Sequence, residues 1–207
     1  MITQKNNGEH PLERSPAGRH VFGGHPHHKG ITPQGSEVPT HRIFEIDLSD
    51  PTLPFTSPDL RSLPLYYPLK YGSGGPVMQY RVISESEIQI IHMDPADPDD
   101  EDWAYVQVSE FPEVRFNLLP AIVSGQGLPF SAATLGGTVP YGGDQECMNA
   151  ACPNHGSSAG CELLATIPPV DIEGHEGIWH EFEGGYLFFH FWYCRGCDTI
   201  ITANRCT

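Results

Sequence analysis

Hydrophobic residues in this chain recur in short runs that alternate with polar residues, which is the pattern of β-strands. Residues 43–48 and 163–167 have this pattern, and residues 186–193 form an aromatic run of strand length. Residues 77–83 and 87–93 are separated by a short polar stretch, which predicts a β-hairpin. The pattern therefore predicts a chain built mainly from short strands.

The glycine and proline content supports the same interpretation. The chain has 22 Gly and 20 Pro among 207 residues. Gly weakens helix interiors and Pro breaks them, so these residues fit turns between strands. Only residues 57–62 and 110–116 are compatible with a short helical turn. A further strand at residues 65–71 contains Pro68, which confines it to a sheet edge because proline has no backbone donor. We expect an α+β fold that is predominantly β.

The N-terminal residues lack any hydrophobic periodicity. Residues 1–18 are polar and contain Pro11 and Pro16. This composition predicts a flexible tail, followed by a single domain over residues 19–207.

An internal repeat is indicated by the order of short motifs. Phe22-Gly23-Gly24 is followed by the predicted strand 43–48 and then by Leu65-Tyr66-Tyr67. Leu135-Gly136-Gly137 is followed by the predicted strand 163–167 and then by the aromatic run 186–193. The repeated order predicts two related sheet-rich halves, at about residues 19–130 and 131–207, that share one core.

The net charge limits the classes of partner. Eleven basic and 26 acidic residues give a formal charge of −15, which repels nucleic acid phosphates and anionic lipid. We expect no nucleic acid or membrane partner. A protein partner is expected, and a basic one matches the charge. The N-terminal segment has no apolar signal core, and the longest apolar run is too short to cross a bilayer, so we expect a cytoplasmic protein.

Four cysteines fall in two close pairs that suggest a metal site. Cys147 and Cys152 have the spacing C-x4-C, and Cys194 and Cys197 have the spacing C-x2-C. Two turns that each present a thiol pair can close a tetrahedron around zinc, as in a zinc ribbon. In a chain without an export signal, this spacing favours metal over disulfides. The sequence therefore predicts a structural Zn²⁺ site and a zinc-ribbon-like knuckle pair in the C-terminal half.

Other interpretations of the cysteines stay open. His155, Cys161 or Cys206 can replace one of the four ligands, because each lies close to a pair in sequence. The thiols can also be inert core residues or form disulfides. A closed four-thiolate site leaves no coordination position for water, so it stabilises a fold and does not catalyse a reaction.

The absence of a catalytic motif favours a non-catalytic role. We expect a zinc-stabilised protein-binding domain with no catalytic or cofactor-binding residues beyond the metal ligands. One alternative is an enzyme with a site lined by His25, His27 and His92 in the N-terminal half. Another is an immunity-type inhibitor of a basic effector, since acidic proteins can neutralise basic ones.

Several of these motifs resemble the YwqG-like family of unknown function. The resemblance is carried by Phe22-Gly23-Gly24-His25-Pro26, by the strand at residues 43–48, by the second Leu135-Gly136-Gly137, and by Gly185-Tyr186-Leu187-Phe188-Phe189 before the last cysteine pair. It spans about residues 20–207. Glu45 departs from the family, which commonly has Gln there. The resemblance implies a sheet-rich, internally duplicated fold with no assigned catalysis.

A more distant resemblance is to the C-terminal region of eukaryotic programmed cell death protein 2. Relatives of that protein act as dedicated chaperones for a ribosomal protein. This resemblance implies a basic protein client, which the acidic charge of this chain would suit.

Overall fold

The structure is a computed structural model of the whole chain, and it describes ten ranges of residues. The described ranges are 1–5, 8–24, 29–31, 40–67, 77–85, 87–94, 113–122, 133–139, 143–168 and 187–206. Within them the chain forms fourteen strands. The strands are β1 (Thr3–Gln4), β2 (Glu9–Arg14), β3 (His20–Phe22), β4 (Lys29–Ile31), β5 (His41–Asp47), β6 (Phe55–Thr56), β7 (Ser62–Tyr67), β8 (Val77–Ser84), β9 (Glu87–Met93), β10 (Val114–Leu118), β11 (Thr134–Gly136), β12 (Cys161–Ile167), β13 (Leu187–Cys194) and β14 (Thr199–Cys206).

Twelve of the strands form one sheet. Its order is β4-β9-β8-β14-β13-β12-β11-β2-β10-β3-β5-β7, and β1 and β6 pair separately. Neighbouring strands are antiparallel, except that β4 runs parallel to β9. The predicted hairpin is confirmed as β8 and β9. Residues 65–67 of the predicted edge strand lie in β7, which is the last strand in the order of the large sheet, and residues 68–71, including Pro68, lie outside the described ranges.

The expected α+β class is not supported, because the described residues contain strands and no helix. Residues 114–116, for which a helical turn was considered, lie in strand β10. Here β10 fills the space between β2 and β3, so pairing on both sides outweighs local preference. Within the described ranges, no helix has the length and hydrophobicity that a membrane span requires.

The predicted flexible tail is wrong for most of residues 1–18. Strand β2 lies in the middle of the large sheet, between β11 and β10. Leu12 is buried, and its N–H donates to the Ala133 carbonyl at 2.8 Å. The Pro11 carbonyl accepts the N–H of Leu119, which lies just beyond the end of β10, at 2.8 Å. The N–H that proline lacks would point to the same place, where no β10 residue needs a donor.

The sheet curls into a half-barrel, so that its edge strand β7 approaches β8 and β13. The Tyr80 hydroxyl accepts the Tyr66 N–H at 2.9 Å and donates to the Pro64 carbonyl at 3.3 Å. The rings of Tyr67 and Phe189 pack with centroids 4.8 Å apart. Burial raises the pKa of Tyr80 well above its usual range, so its hydroxyl stays neutral and serves as both donor and acceptor. One N–H and one carbonyl of the edge strand are thereby satisfied by a side chain.

Two three-strand units in the sheet have the same pairing. In the first unit β5 lies between β3 and β7, and in the second β12 lies between β11 and β13. Each middle strand contains a bulge, between Arg42 and Phe44 in β5 and between Leu163 and Ala165 in β12. Side chains of both units, including Phe22, Phe44, Leu135 and Phe191, belong to one hydrophobic core.

A glycine pair follows the same position in both units. Gly23 and Gly24 have φ angles of 70° and 84°, and Gly136 and Gly137 have φ angles of 72° and 85°. These left-handed conformations favour glycine because it lacks a Cβ atom.

At the centre of the sheet, β2 and β10 lie side by side. Strand β2 also pairs with β11 of the second unit, and β10 also pairs with β3 of the first.

The substitution Tyr80→Phe tests the role of the hydroxyl at the sheet edge. It removes both hydrogen bonds and leaves the Tyr66 N–H and the Pro64 carbonyl of β7 without this partner. We expect the free energy of unfolding to fall by about 1–3 kcal/mol. Denaturant unfolding measures the loss, and amide hydrogen exchange should show faster exchange at Tyr66. An unchanged free energy with unchanged exchange at Tyr66 would contradict this role.

Candidate metal centre

The turn between β13 and β14 presents the first cysteine pair. Cys194 is the last residue of β13, and Cys197 follows in the turn. The Cys194 carbonyl accepts the Asp198 N–H at 2.9 Å and the Cys197 N–H at 3.4 Å. Asp198 has a φ angle of 56°, a left-handed conformation that Asp tolerates better than most residues. The turn therefore bends tightly enough to place both sulfur atoms on one side.

A loop before β12 presents the second pair. Its ends are joined because the Cys147 N–H donates to the Ser157 carbonyl at 3.0 Å and the Gly156 N–H donates to the Cys147 carbonyl at 2.9 Å. Within the loop, the Cys152 N–H donates to the Asn149 carbonyl at 2.9 Å. The five-residue step from Cys147 to Cys152 thus forms a compact turn, which brings the two thiols together despite the longer spacing.

The four sulfur atoms converge on one small volume. All four Sγ atoms lie within 4.8 Å of one another. Cys152 and Cys194 have sulfurs 3.7 Å apart, and those of Cys147 and Cys197 are 3.8 Å apart. A tetrahedron with zinc–sulfur bonds of about 2.3 Å has sulfur–sulfur edges of about 3.8 Å. These spacings are far longer than a disulfide bond of about 2.05 Å, so the described cysteines are free thiols suited to a metal ion.

Gly196 allows the two turns to approach each other. A Cβ atom at this position would lie 2.9 Å from the Cys152 Sγ and 2.7 Å from the Asn154 Nδ2. The Asn154 N–H in turn donates to the Cys152 Sγ at 3.3 Å. Any side chain at position 196 would push the cysteine pairs apart, so glycine is required by contact.

Gln79 of β8 connects the two pairs from beneath. Its Nε2 donates to the Cys147 Sγ at 3.3 Å and to the Thr199 Oγ1 at 2.6 Å, and its Oε1 accepts the Met148 N–H at 2.7 Å. The same Nε2 lies 3.6 Å from the Cys197 Sγ. Gln79 is fully buried, and its amide is bonded at both ends, so it holds the sulfurs in a fixed orientation.

The thiols are held in an environment that disfavours ionisation without a countercharge. Burial raises the pKa of Cys152 and of Cys194 to about 12. Burial also opposes ionisation of Cys197, but hydrogen bonds from Thr199 and Asn149 outweigh it and lower the pKa of that thiol. A divalent cation would supply the missing charge and bind all four groups as thiolates, so metal binding would release protons.

The alternative ligands do not join the group. Cys161 lies opposite Cys194 in the β12–β13 ladder, but its sulfur is outside the set of four. Burial raises the pKa of the Cys161 thiol to about 11. His155 is exposed and is likewise not part of the set. The side chain of Cys206 lies outside the described residues. The structure thus brings together the four predicted residues Cys147, Cys152, Cys194 and Cys197.

The histidines of the alternative enzyme site are not assembled within the described residues. His92 lies in β9, and its Nε2 is 2.8 Å from the Asp94 Oδ1. His25 and His27 lie outside the described ranges. The alternative enzyme site therefore stays a hypothesis.

Gln79 and Thr199 contribute to the site but were not predicted from the sequence. Their role depends on the pairing of β8 with β14, which places Gln79 opposite Ile201. No local pattern signals this role, because a polar residue between Met78 and Tyr80 is the alternation expected of a strand with one face in solvent.

Searches with this chain gave no match among protein-family models, curated proteins or solved structures. The resemblance to the YwqG-like family therefore stays a prediction. The site is interpreted from its own geometry.

The substitution Gln79→Glu tests the contact beneath the sulfurs. A carboxylate can still accept the Met148 N–H, but it cannot donate to Cys147 and places negative charge beside the thiolates. We expect zinc affinity to fall by about 10–100-fold, as for other residues that orient metal ligands. Competition with a chromogenic chelator measures the affinity.

Gln4→Glu is the matched control, because it makes the same change in the separate two-stranded sheet. It should leave zinc affinity unchanged. Equal affinity of the Gln79→Glu protein and its control would show that the amide does not orient the ligands.

Proposed function

We propose that the four cysteines hold one structural zinc ion, and that the protein is a non-catalytic, zinc-stabilised protein-binding domain. The observation that carries the metal assignment is the convergence of four free sulfurs within 4.8 Å at tetrahedral spacing. Thiolates are soft ligands, and a set of four in this geometry suits zinc better than hard cations such as magnesium or calcium.

A stabilising role is supported by what the site connects. Cys147, Cys152, Cys194 and Leu163 belong to a small hydrophobic cluster around Trp192, separate from the main core. The loop that carries Cys147 and Cys152 packs against this small cluster, so coordination would add stability where the apolar cluster is small. Four protein ligands leave no open position, which argues against catalysis at the metal.

Binding of a protein partner is supported by charge. A formal charge of −15 favours association with a basic surface and raises its rate at low ionic strength. The distant resemblance to programmed cell death protein 2 points to the same class of client. We propose a basic protein client on these grounds.

The internal duplication is part of this proposal. It is supported by the matching strand order of the two units, by the bulge in each middle strand and by the similar φ angles of the two glycine pairs. Under this proposal, the two cysteine-bearing turns form zinc-ribbon-like knuckles that are present in the second unit and were added to the duplicated fold.

Elemental analysis of the purified protein tests the metal assignment. We expect about one zinc ion per chain, and its removal by a strong chelator should destabilise the folded structure. Cys194→Ser should abolish binding and lower the thermal midpoint by about 6–12 °C, because a loss of about 3 kcal/mol shifts a domain of this size by that amount. Circular dichroism during heating measures the midpoint.

Cys161→Ser is the matched control, because Cys161 lies directly across the ladder from Cys194 but outside the four-sulfur group. It should retain zinc and the midpoint of the unaltered protein. Equal zinc content in the two variants would refute the ligand assignment.

Affinity purification from cells tests the binding role. Recovery of no protein partner, together with turnover of a substrate, would refute that role.

A further inference from the structure

A surface cavity lies beside the knuckle of Cys194 and Cys197, on the side away from the sulfurs. Its volume is about 180 Å³, enough for one aliphatic side chain. The loop between β6 and β7 forms one wall through Leu60, the end of β8 forms another through Val82 and Ile83, and Ile200 of β14 forms the floor. The cavity therefore has an aliphatic part, and its lining also includes polar groups.

Two exposed hydrophobic side chains flank this cavity. Among the described residues, Met1 and Ile83 are the large hydrophobic residues with high exposure, at 69% and 50%. Both line the same cavity. Isolated exposed apolar residues are common, but their convergence on one concave site is typical of a contact surface.

Carboxylates stand at the rim of the cavity. Asp59 is 71% exposed and Asp198 is 47% exposed at the side chain. Both point at the same cation, since the Met1 ammonium lies 3.2 Å from Asp59 and 3.7 Å from Asp198. The rim thus binds positive charge.

The rim keeps an excess of negative charge. One ammonium faces two carboxylates, which leaves an excess of one negative charge. Glu85 and Arg61, joined because the Arg61 backbone N–H donates to the Glu85 carboxylate at 3.2 Å, add one charge of each sign. A basic partner would therefore meet an attractive field at the entrance.

We propose that this cavity binds a short segment of a partner protein in which an aliphatic side chain is flanked by lysine or arginine. The aliphatic group enters the space between Leu60 and Ile83, and the basic groups approach Asp59 and Asp198. This inference rests on the proposed function, because it assigns the binding surface for the basic client.

The position of Asp198 connects this surface to the metal centre. Asp198 follows Cys197 directly, and its carboxylate accepts a hydrogen bond from the Tyr193 hydroxyl. That hydroxyl accepts the Ile2 N–H at 3.1 Å. The knuckle that presents two of the sulfurs on one side thus positions the rim of the cavity on the other.

Fluorescence anisotropy with a labelled synthetic peptide tests the proposal. The probe is a seven-residue peptide, Ser-Gly-Lys-Leu-Lys-Gly-Ser, and a second peptide has serine in place of leucine. We expect the leucine peptide to saturate the protein below about 1 mM and to bind about tenfold more tightly than the serine peptide, from burial of one side chain. Ile83→Ser should remove that preference.

Charge variants separate specific from general attraction. The double substitution Asp59→Asn with Asp198→Asn should weaken binding by about two- to fivefold, the range for exposed ion pairs. Asn tolerates the left-handed conformation at position 198. Asp144→Asn is the control, because Asp144 is exposed and does not line the cavity. Unchanged circular dichroism spectra and melting points identify the variants that keep their fold.

Three results would overturn the proposal. The first is equal binding of the two peptides, or equal effects of Ile83→Ser and Asp144→Asn, since either would indicate general attraction to an acidic surface. The second is no saturation by about 1 mM. The third is a concentration-dependent dimer in sedimentation that Ile83→Ser removes, because it would assign the cavity to a second copy of the chain.

Failure of the proposed function can be distinguished from failure of this inference. Zinc content and recovery of a basic client from cells are measured without the peptide. A protein that lacks zinc but shows peptide binding dependent on Ile83 would refute the metal assignment alone. A protein that holds zinc and recovers a basic client equally well with Ile83→Ser would refute the cavity assignment alone.

Discussion

Four thiols within 4.8 Å of one another, three of them buried, impose the main constraint on the C-terminal half of this protein. Ionised without a countercharge they would repel one another, and as neutral thiols they would make only weak hydrogen bonds. The surrounding residues are arranged for sulfur: Gln79 and the Asn154 N–H donate to sulfur atoms, and Gly196 gives them space. The loop before β12 and the turn after β13 are held next to each other because each contributes two cysteines to this group.

The large sheet has an edge strand, β7, whose outer backbone groups need hydrogen-bond partners. A strand at the edge of a sheet exposes backbone groups that can pair with other chains. Here β7 has its outward Tyr66 N–H and Pro64 carbonyl satisfied by the Tyr80 hydroxyl, which arrives from a strand of the same sheet. Curling the sheet brings this side chain within reach and also encloses the core that both three-strand units share.

Much of this organisation could be predicted from the sequence. Alternating hydrophobic residues identified β5 and the hairpin of β8 and β9, and a continuous aromatic run identified β13, which is buried along its described length. The spacing of the cysteines identified all four sulfurs that converge. The N-terminal strand β2 was missed because Pro11 and polar neighbours conceal it, and its partners lie more than a hundred residues away along the chain. Gln79 was missed for the same reason, since the pairing of β8 with β14 is invisible to local patterns.

The position of β2 between β11 and β10 has a consequence for synthesis on the ribosome. Strand β2 emerges among the first residues, yet both of its neighbours, β10 and β11, are made in the second half of the chain. The first unit therefore cannot acquire its full set of neighbours while its own residues are the only ones available. The sheet closes late, and the early strands must wait in an incompletely paired state until the ribosome has delivered their partners.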